Sequence, residues 1–170
     1  SRRSVAVAVS PRKKVPAQKP GKSNQAVGTP WEFIRAVERR FGPLAVDLAA
    51  GADNAKCPVY LTKKDDALSI GWGELYGDAQ MWLNPEFGLI PKFAAKAAYE
   101  SMFFGAGRLF MLTPASIGAV WFERFVKPHA FVLALNPRLT FEGQTQPYPK
   151  DCMLSIYGGA LRGFDAWRWK

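Results

Sequence analysis

Short apolar runs alternate with longer helical segments from Thr29 to the end of the chain. Apolar runs lie at 44–48, 58–62, 80–83, 108–112, 130–135 and 153–157, with a weaker one at 139–141. Helical spacing of apolar residues predicts helices over 31–40, 90–103 and 117–125. Buried strands separated by helices are typical of a mostly parallel sheet with helices on both faces. The two late runs, joined by a turn-rich connection, predict an antiparallel edge, so the sequence predicts an α/β fold.

The first predicted helix has a defined start and end. Thr29 can cap it, and Pro30 suits the first helical position. Gly42 and Pro43 then stop it. The segment from Thr29 therefore opens the folded domain, which we expect to span 29–170.

Basic residues are concentrated in the first part of the chain. The sequence has 23 Lys and Arg against 14 Asp and Glu, a net charge of +9, and residues 1–28 carry seven of the basic side chains and no acidic one. This segment lacks aromatic residues and a sustained apolar period, so we expect a disordered tail. It could attract phosphate backbones, or it could be a solubilising leader or a cloning remnant.

The rarity of histidine and cysteine excludes several classes of protein. The chain has one histidine, His129, and two cysteines, Cys57 and Cys152. That is too few for a disulfide framework or a zinc cluster, and it weakens most hydrolase interpretations. We expect no metal, and we expect Cys57 to be a buried, unreactive thiol. No apolar run approaches the roughly 20 residues that span a bilayer, so the sequence predicts a soluble cytoplasmic protein without a membrane partner.

Polar residues follow two of the predicted strands. Asp47 lies at the end of the first strand, before a loop of small residues at 49–54. Asn84 directly follows the strand at 80–83, in the run NPEFG. Ligands of doubly wound sheets bind beyond the carboxyl ends of central strands. We therefore expect these two strand ends to form the functional site.

The order of these motifs resembles the phage-type Dam-like DNA N6-adenine methyltransferases. The resemblance is carried by TPW at 29–31, VDLAA at 46–50, NAKCP at 54–58, DDAL at 65–68 and WLNP at 82–85. It continues through LTPA at 112–115, VWF at 120–122 and RLTF at 138–141, and covers roughly residues 29–158. It implies a Rossmann-like class I methyltransferase sheet, the cofactor S-adenosylmethionine and DNA as the partner.

The family's catalytic tetrapeptide is matched at 84–87 with one departure. The family has Asn or Asp, then Pro, Pro and an aromatic residue, whereas this chain has Glu86 in place of the second proline. The resemblance implies that Asn84 and the carbonyl of Pro85 accept the two hydrogens of the target amine, and that Phe87 stacks on the base. A simple strand-to-loop turn is the alternative interpretation of this run.

The resemblance also implies a cofactor site. Its candidate residues are Thr29, Pro30, Asp47, Ala49, Asn54, Asp65 and Asp66. Asp47 would attract the ammonium group of the cofactor, and Asp65 or Asp66 would bind its ribose hydroxyls or adenine amine. A helix cap is the alternative role of Thr29, and a solvated loop is the alternative for the two neighbouring carboxylates.

The leading hypothesis is methylation of the N6 amine of adenine in DNA with low sequence specificity. One alternative keeps the chemistry and changes the substrate to cytosine N4 or RNA. Another is a degenerate, noncatalytic nucleic-acid or partner-binding protein, which Glu86 supports; Glu86 could instead point into solvent, pair with a basic side chain or alter the accepted base. A basic packaging protein would leave the strand-end motifs unexplained. The aromatic and basic residues at 162–170 could form a nucleic-acid surface or dock the terminus onto the core.

Overall fold

A seven-stranded mixed sheet forms the centre of the protein. The computed structural model describes residues 28–51 and 53–170, so the predicted tail up to residue 27 lies outside the described residues. The strands are β1 Val46–Asp47, β2 Val59–Tyr60, β3 Met81–Leu83, β4 Leu109–Pro114, β5 Ala130–Asn136, β6 Cys152–Tyr157 and β7 Gly163–Arg168. Their order across the sheet is β2-β1-β3-β4-β6-β5-β7. The predicted α/β fold is confirmed.

The antiparallel strand lies inside the sheet and not at its edge, which corrects the predicted antiparallel edge. β6 runs antiparallel between β4 and β5, whereas the edge strand β7 is parallel to β5. All six residues of β6 are buried, as an interior strand requires. The predicted strand at 139–141 is wrong: this segment belongs to the irregular connection between β5 and β6, where the Tyr148 amide donates to the carbonyl of Leu139 (2.7 Å).

Within the described part of the chain, three α-helices pack on the sheet: α1 Trp31–Phe41, α2 Trp72–Tyr76 and α3 Ile90–Glu100. The predicted first helix is confirmed, while α3 ends three residues earlier than expected and is followed by a 3-10 turn at Ser101–Phe103. The helix predicted over 117–125 is instead a turn followed by a short helical segment with a π-turn at Phe122–Val126. There Lys127 N–H donates to the carbonyl of Phe122, five residues back, at 2.9 Å.

The sheet buries both of its faces. Alternate residues of β4 enter opposite cores: Leu109 and Met111 pack with α2 and α3, whereas Phe110 and Leu112 pack with α1. The helices therefore cover both faces, as predicted.

The C-terminal aromatic residues dock onto the core that contains α1. Trp169 lies 5.2 Å and Trp167 5.9 Å from Phe33, measured between ring centroids. Of the two interpretations of residues 162–170, the structure supports docking of the terminus for these tryptophans. Phe164 of β7, in contrast, is 55% exposed.

The order in which successive strands are added to the sheet reverses at β1. From β1 the chain passes to β2 on one side, then returns to β3 on the other side and continues to β4. These four strands are parallel, so their carboxyl ends share one edge of the sheet. A reversal of strand order at that edge leaves a crevice in which doubly wound proteins bind ligands. Within the described residues, no helix is long and apolar enough to cross a membrane.

Candidate active site

A large cleft lies at the carboxyl ends of β1, β2 and β3. Its volume is about 1300 Å³, which exceeds the roughly 300 to 1,000 Å³ of an ordinary small-molecule site. Eight of the ten predicted site residues line it: Thr29, Asp47, Ala49, Asn54, Asp66, Asn84, Pro85 and Phe87. The cleft is therefore large enough for a cofactor together with a nucleobase.

Asn84 follows β3 and has its side-chain amide fixed from one side. Its Nδ2 donates to Thr29 Oγ1 at 3.0 Å, so Oδ1 is the atom that can accept a hydrogen bond from a ligand. The next residue, Pro85, is buried, and none of the described residues donates to its carbonyl oxygen. Asn84 and Pro85 both line the cleft at the end of β3.

Phe87 belongs to an aromatic group on the wall of the cleft. Phe87 is 40% exposed, and its ring centroid lies 6.0 Å from that of Tyr148, whose ring centroid lies 5.5 Å from that of Phe141. Burial, with the nearby Cys152 as a smaller contribution, raises the pKa of Tyr148, so its hydroxyl stays neutral. A partly exposed aromatic ring in the same cleft lining as Asn84 and Pro85 is suited to stacking on a flat heterocycle.

Glu86 adopts a backbone conformation that proline could also adopt. Its φ is −56° and its ψ is 134°, within the range that a pyrrolidine ring imposes on φ. Its carboxylate faces Lys63, with 3.9 Å between Oε2 and Nζ. Of the alternatives considered from the sequence, the structure supports pairing with a basic side chain.

Asp47 is buried and fixes the loop that follows β1. Oδ1 accepts a hydrogen bond from the amide of Ala49 (3.2 Å), and Oδ2 accepts one from the amide of Lys56 (3.0 Å). Burial raises the pKa of Asp47 above its ordinary value, because the two amides and the Lys56 charge only partly offset desolvation. A cation in the cleft would relieve this cost.

The remaining predicted residues divide between the cleft and its surroundings. Asn54 Oδ1 accepts the Gly51 amide at 2.6 Å, which shapes the loop after β1. Asp66 lines the cleft, whereas Asp65 lies outside its lining and uses Oδ2 to accept the Thr62 amide at 2.7 Å. Pro30 also lies outside the lining and precedes α1 as its N-cap residue.

Several residues of the cleft were not predicted. Lys56, Lys63 and Lys64 line it, and so does part of the connection at 137–151, including Phe141, Gln144, Gln146 and Tyr148. A connection of 15 residues between β5 and β6 is itself a signal, since long loops in compact domains are commonly functional. Lys56 stands in the NAKCP run, but its burial depends on contacts that no local pattern indicates.

The described residues hold no group of three or more His, Cys, Asp and Glu side chains that could bind a metal ion. Both cysteines are buried, and burial raises the pKa of each thiol to about 12. The buried thiol expected at Cys57 is therefore confirmed.

The sequence matches a known family over most of its length. The profile described as "DNA N-6-adenine-methyltransferase (Dam)" matches residues 17–152. The chain belongs to this family. The Dam resemblance inferred from the strand-end motifs is thus confirmed, and the profile also extends into the segment predicted as a tail.

Two curated relatives cover different shares of the chain. The DNA N-6-adenine-methyltransferase of Escherichia phage T1 is 28% identical over 131 residues, which is 77% of this chain and 53% of that protein. The protein YfdM of Escherichia coli K12, named as a methyltransferase, is 37% identical over 60 residues, which is 33% of this chain and 66% of that protein. The Dam-family chain thus spans about half to two thirds of the lengths of these relatives.

One solved structure is also similar to the Dam-family chain. It is a predicted O-methyltransferase, Atu636 of Agrobacterium tumefaciens, with a TM-score of 0.39 and 14% identity over 73% of this chain and 78% of that one.

Proposed function

We propose that this Dam-family protein methylates the N6 amine of adenine in DNA, with S-adenosylmethionine as the methyl donor. The observation that carries the proposal is that Asn84, whose Oδ1 is left as an acceptor, lines one large cleft together with Pro85 and the partly exposed Phe87. Membership of the family supports the same reaction.

The proposed chemistry depends on making an unreactive amine nucleophilic. The lone pair of an exocyclic adenine amine is delocalised into the ring. Hydrogen bonds from its two hydrogens to Asn84 and Pro85 favour tetrahedral geometry at nitrogen and orient the lone pair. Phe87 stacks on the base once it has left the duplex. No histidine base is needed before transfer.

The residues around Asp47 fit the proposed cofactor. S-adenosylmethionine, when bound, supplies a methyl group whose bond to sulfur breaks as the bond to the amine nitrogen forms. Asp47 offers a carboxylate to the ammonium group, and the small side chains at 49–51 allow the backbone to approach it. Asp66 is the better of the two neighbouring carboxylates for a ribose hydroxyl because it lines the cleft and Asp65 does not.

Lysines on the cleft support a nucleic-acid substrate. Lys63 and Lys64 line the cleft, and the Lys63 side chain is 73% exposed. Lysines bind phosphates without reading bases, so we propose low sequence specificity. The reaction would take place in the bacterial cytoplasm, in keeping with relatives from a phage and from Escherichia coli.

Transfer of a labelled methyl group to unmethylated DNA, followed by digestion to nucleosides, tests the proposal. We expect N6-methyladenine with the native protein and a loss of about 10²- to 10³-fold for Asn84→Ala, the scale of a lost transition-state hydrogen bond. Asn136→Ala is the matched control, because Asn136 is exposed and lies outside the cleft lining.

Other products would identify the alternatives. N4-methylcytosine, or methylated RNA alone, would change the substrate and keep the site. DNA retention without saturable binding of S-adenosylmethionine would replace the enzyme with a noncatalytic binding protein.

A further inference from the structure

The connection between β5 and β6 carries two of the aromatic residues on the cleft wall, Phe141 and Tyr148. The ring centroid of Tyr148 lies 6.0 Å from that of Phe87, the residue proposed to stack on the base. Most residues of this connection are exposed. Its position beside the cleft therefore depends on the contacts that join it to the rest of the protein.

Glu142 makes the polar contacts that attach the middle of this connection. Its amide donates to the carbonyl of Gly28 at 2.9 Å, and its carboxylate accepts from the Lys56 ammonium at 2.8 Å. Within the described part of the chain, the other hydrogen bonds of residues 139–150 join residues of the connection to each other. Loss of the Glu142 carboxylate would therefore leave one of the two attachments.

Lys56 is held at both of its ends. Its amide donates to Asp47 Oδ2 at 3.0 Å, and its buried ammonium also lies 4.5 Å from the centroid of the Trp31 ring. A side chain at Gly28 would collide with the Glu142 carboxylate, so the ion pair fills the space beside that glycine. Lys56 thus connects the carboxylate proposed to bind the cofactor with the connection that carries the aromatic residues.

We propose that the Lys56–Glu142 ion pair positions the aromatic residues of the cleft for stacking on the target base. This inference rests on the proposed function. Phe141 is the neighbour of Glu142 in the chain, and its ring centroid lies 5.5 Å from that of Tyr148. Lys56 and Glu142 are therefore positioning residues, which act on the base through these rings. The lysines proposed to bind phosphate lie on a different segment, so loss of the ion pair should slow methyl transfer more than it weakens DNA binding.

A charge-neutral double variant removes the ion pair without leaving a buried charge. Lys56→Met together with Glu142→Gln deletes both charges and keeps the backbone amide that donates to Asp47. We expect kcat to fall about ten- to a hundredfold, the scale on which a displacement of about 1 Å slows a reaction. KM for DNA and the Kd for S-adenosylmethionine should stay within about twofold of the native values, because the groups proposed to bind each of them are retained.

The single variant Glu142→Gln separates positioning from stability. It leaves the buried Lys56 ammonium without its partner, so it should be less stable than the double variant. An ion pair that acted only through stability would make the double variant faster than Glu142→Gln, whereas we expect both to be slow.

Asp151→Asn is the matched control for these variants. It removes the exposed ion pair between Arg138 and Asp151, which joins the two ends of the same connection at 2.9 Å. Neither side chain lines the cleft. We expect its kcat to change by less than about twofold, as is usual for an exposed ion pair.

Three outcomes would overturn the inference. The first is a kcat that recovers with stability in the double variant, which would leave the ion pair a purely structural role. The second is a loss confined to the affinity for S-adenosylmethionine, which would assign Lys56 to the cofactor site. The third is an equal loss in Asp151→Asn, which would show that any weakening of the connection has this effect.

Hydrogen exchange followed by mass spectrometry tests the contact without activity. We expect the backbone amides of residues 139–148, which include the Glu142 amide bonded to Gly28, to exchange faster in the double variant. They should exchange at the native rate in Asp151→Asn. Unchanged exchange in the double variant would refute the positioning role. An inactive native protein with the expected exchange would refute the proposed function and leave the attachment of the connection established.

Discussion

The Lys56 ammonium lies 2.8 Å from Glu142 Oε1, although 86 residues separate them in the chain. The Lys56 side chain is 3% exposed, whereas that of Glu142 is 38% exposed. The centroid of the Trp31 ring lies 4.5 Å from the Lys56 ammonium. This pair joins the loop after β1 to the connection between β5 and β6. Because one charge is buried and the other is partly solvated, the two partners are not equivalent.

Removing the charge of Glu142 should therefore lower the free energy of unfolding more than removing the charge of Lys56. Glu142→Gln leaves a buried ammonium without its counter-ion, and we expect a loss of about 2–4 kcal/mol in the free energy of unfolding. Lys56→Met leaves a carboxylate that water can reach, and we expect about 1 kcal/mol. Urea unfolding of the two single variants and the double variant measures this, and a larger loss for Lys56→Met would contradict it.

Cofactor affinity should increase with pH through the titration of Asp47. Burial raises the pKa of Asp47. If the proposed function is correct, cationic S-adenosylmethionine binds better to ionised Asp47, so its affinity should rise as pH increases through that pKa. Isothermal titration calorimetry with S-adenosylmethionine between about pH 4 and 7 should show this rise in affinity for the native protein. The rise should be absent in Asp47→Asn. A rise of the same size in Asp47→Asn would assign the titration to another group.

The contribution of Asp47 to the folding stability of the protein without cofactor should change with pH in the opposite direction to the cofactor affinity. A raised pKa means that the folded state binds this proton more tightly than the unfolded state. The contribution of Asp47 to stability is therefore greatest below its unfolded pKa and is lost as pH rises through its folded pKa.

Glu86→Pro should be accepted by the backbone and should strengthen DNA binding. The φ of −56° already suits proline, and the change removes a negative charge from the cleft and releases Lys63 to bind phosphate. We expect a severalfold tighter Kd for duplex DNA at low salt and little gain near 1 M salt, where screening acts within about 3 Å. Glu86→Gln isolates the effect of charge, and weaker binding by both variants would show that Glu86 itself contacts the substrate.

Two lysine–glutamate pairs of the same helical spacing should differ in their effect on stability. Glu100 bonds Lys96 at 3.0 Å with both side chains largely buried, whereas Glu123 and Lys127 lie 3.4 Å apart and are mostly exposed. Glu100 also accepts the Gly73 amide at 3.0 Å. We expect Glu100→Gln to cost about 1–3 kcal/mol and Glu123→Gln less than about 0.5 kcal/mol.

The loss of stability caused by Glu100→Gln should disappear in acid. Burial by itself would raise the pKa of Glu100, but the Gly73 amide and Lys96 outweigh it and lower the pKa. The stabilisation is therefore present above the unfolded pKa and is lost as pH falls through the folded pKa. Thermal unfolding from neutral pH down to about pH 3 should show the native protein and Glu100→Gln converging, and a constant difference would contradict this.

The sequence by itself determined the features that depend on neighbouring residues. The helix from Trp31, the apolar runs that form most strands, and the polar residues at the ends of β1 and β3 all follow from local periodicity and turn chemistry. Because parallel strands end at one edge, the strand-end residues Asp47 and Asn84 could be expected in one site. The missed strand β7 shows the limit, since most of its residues are exposed and lack a strand-like apolar pattern.

Only the tertiary structure decided which distant residues meet. The interior place of β6, the contact of Thr29 with Asn84 across 55 residues and the pairing of Lys56 with Glu142 across 86 all depend on the order of strands in the sheet. That order is selected by the packing of the two cores as a whole, which no local pattern records. The sequence therefore predicted which polar residues follow each strand, and the fold determined the contacts that those residues make.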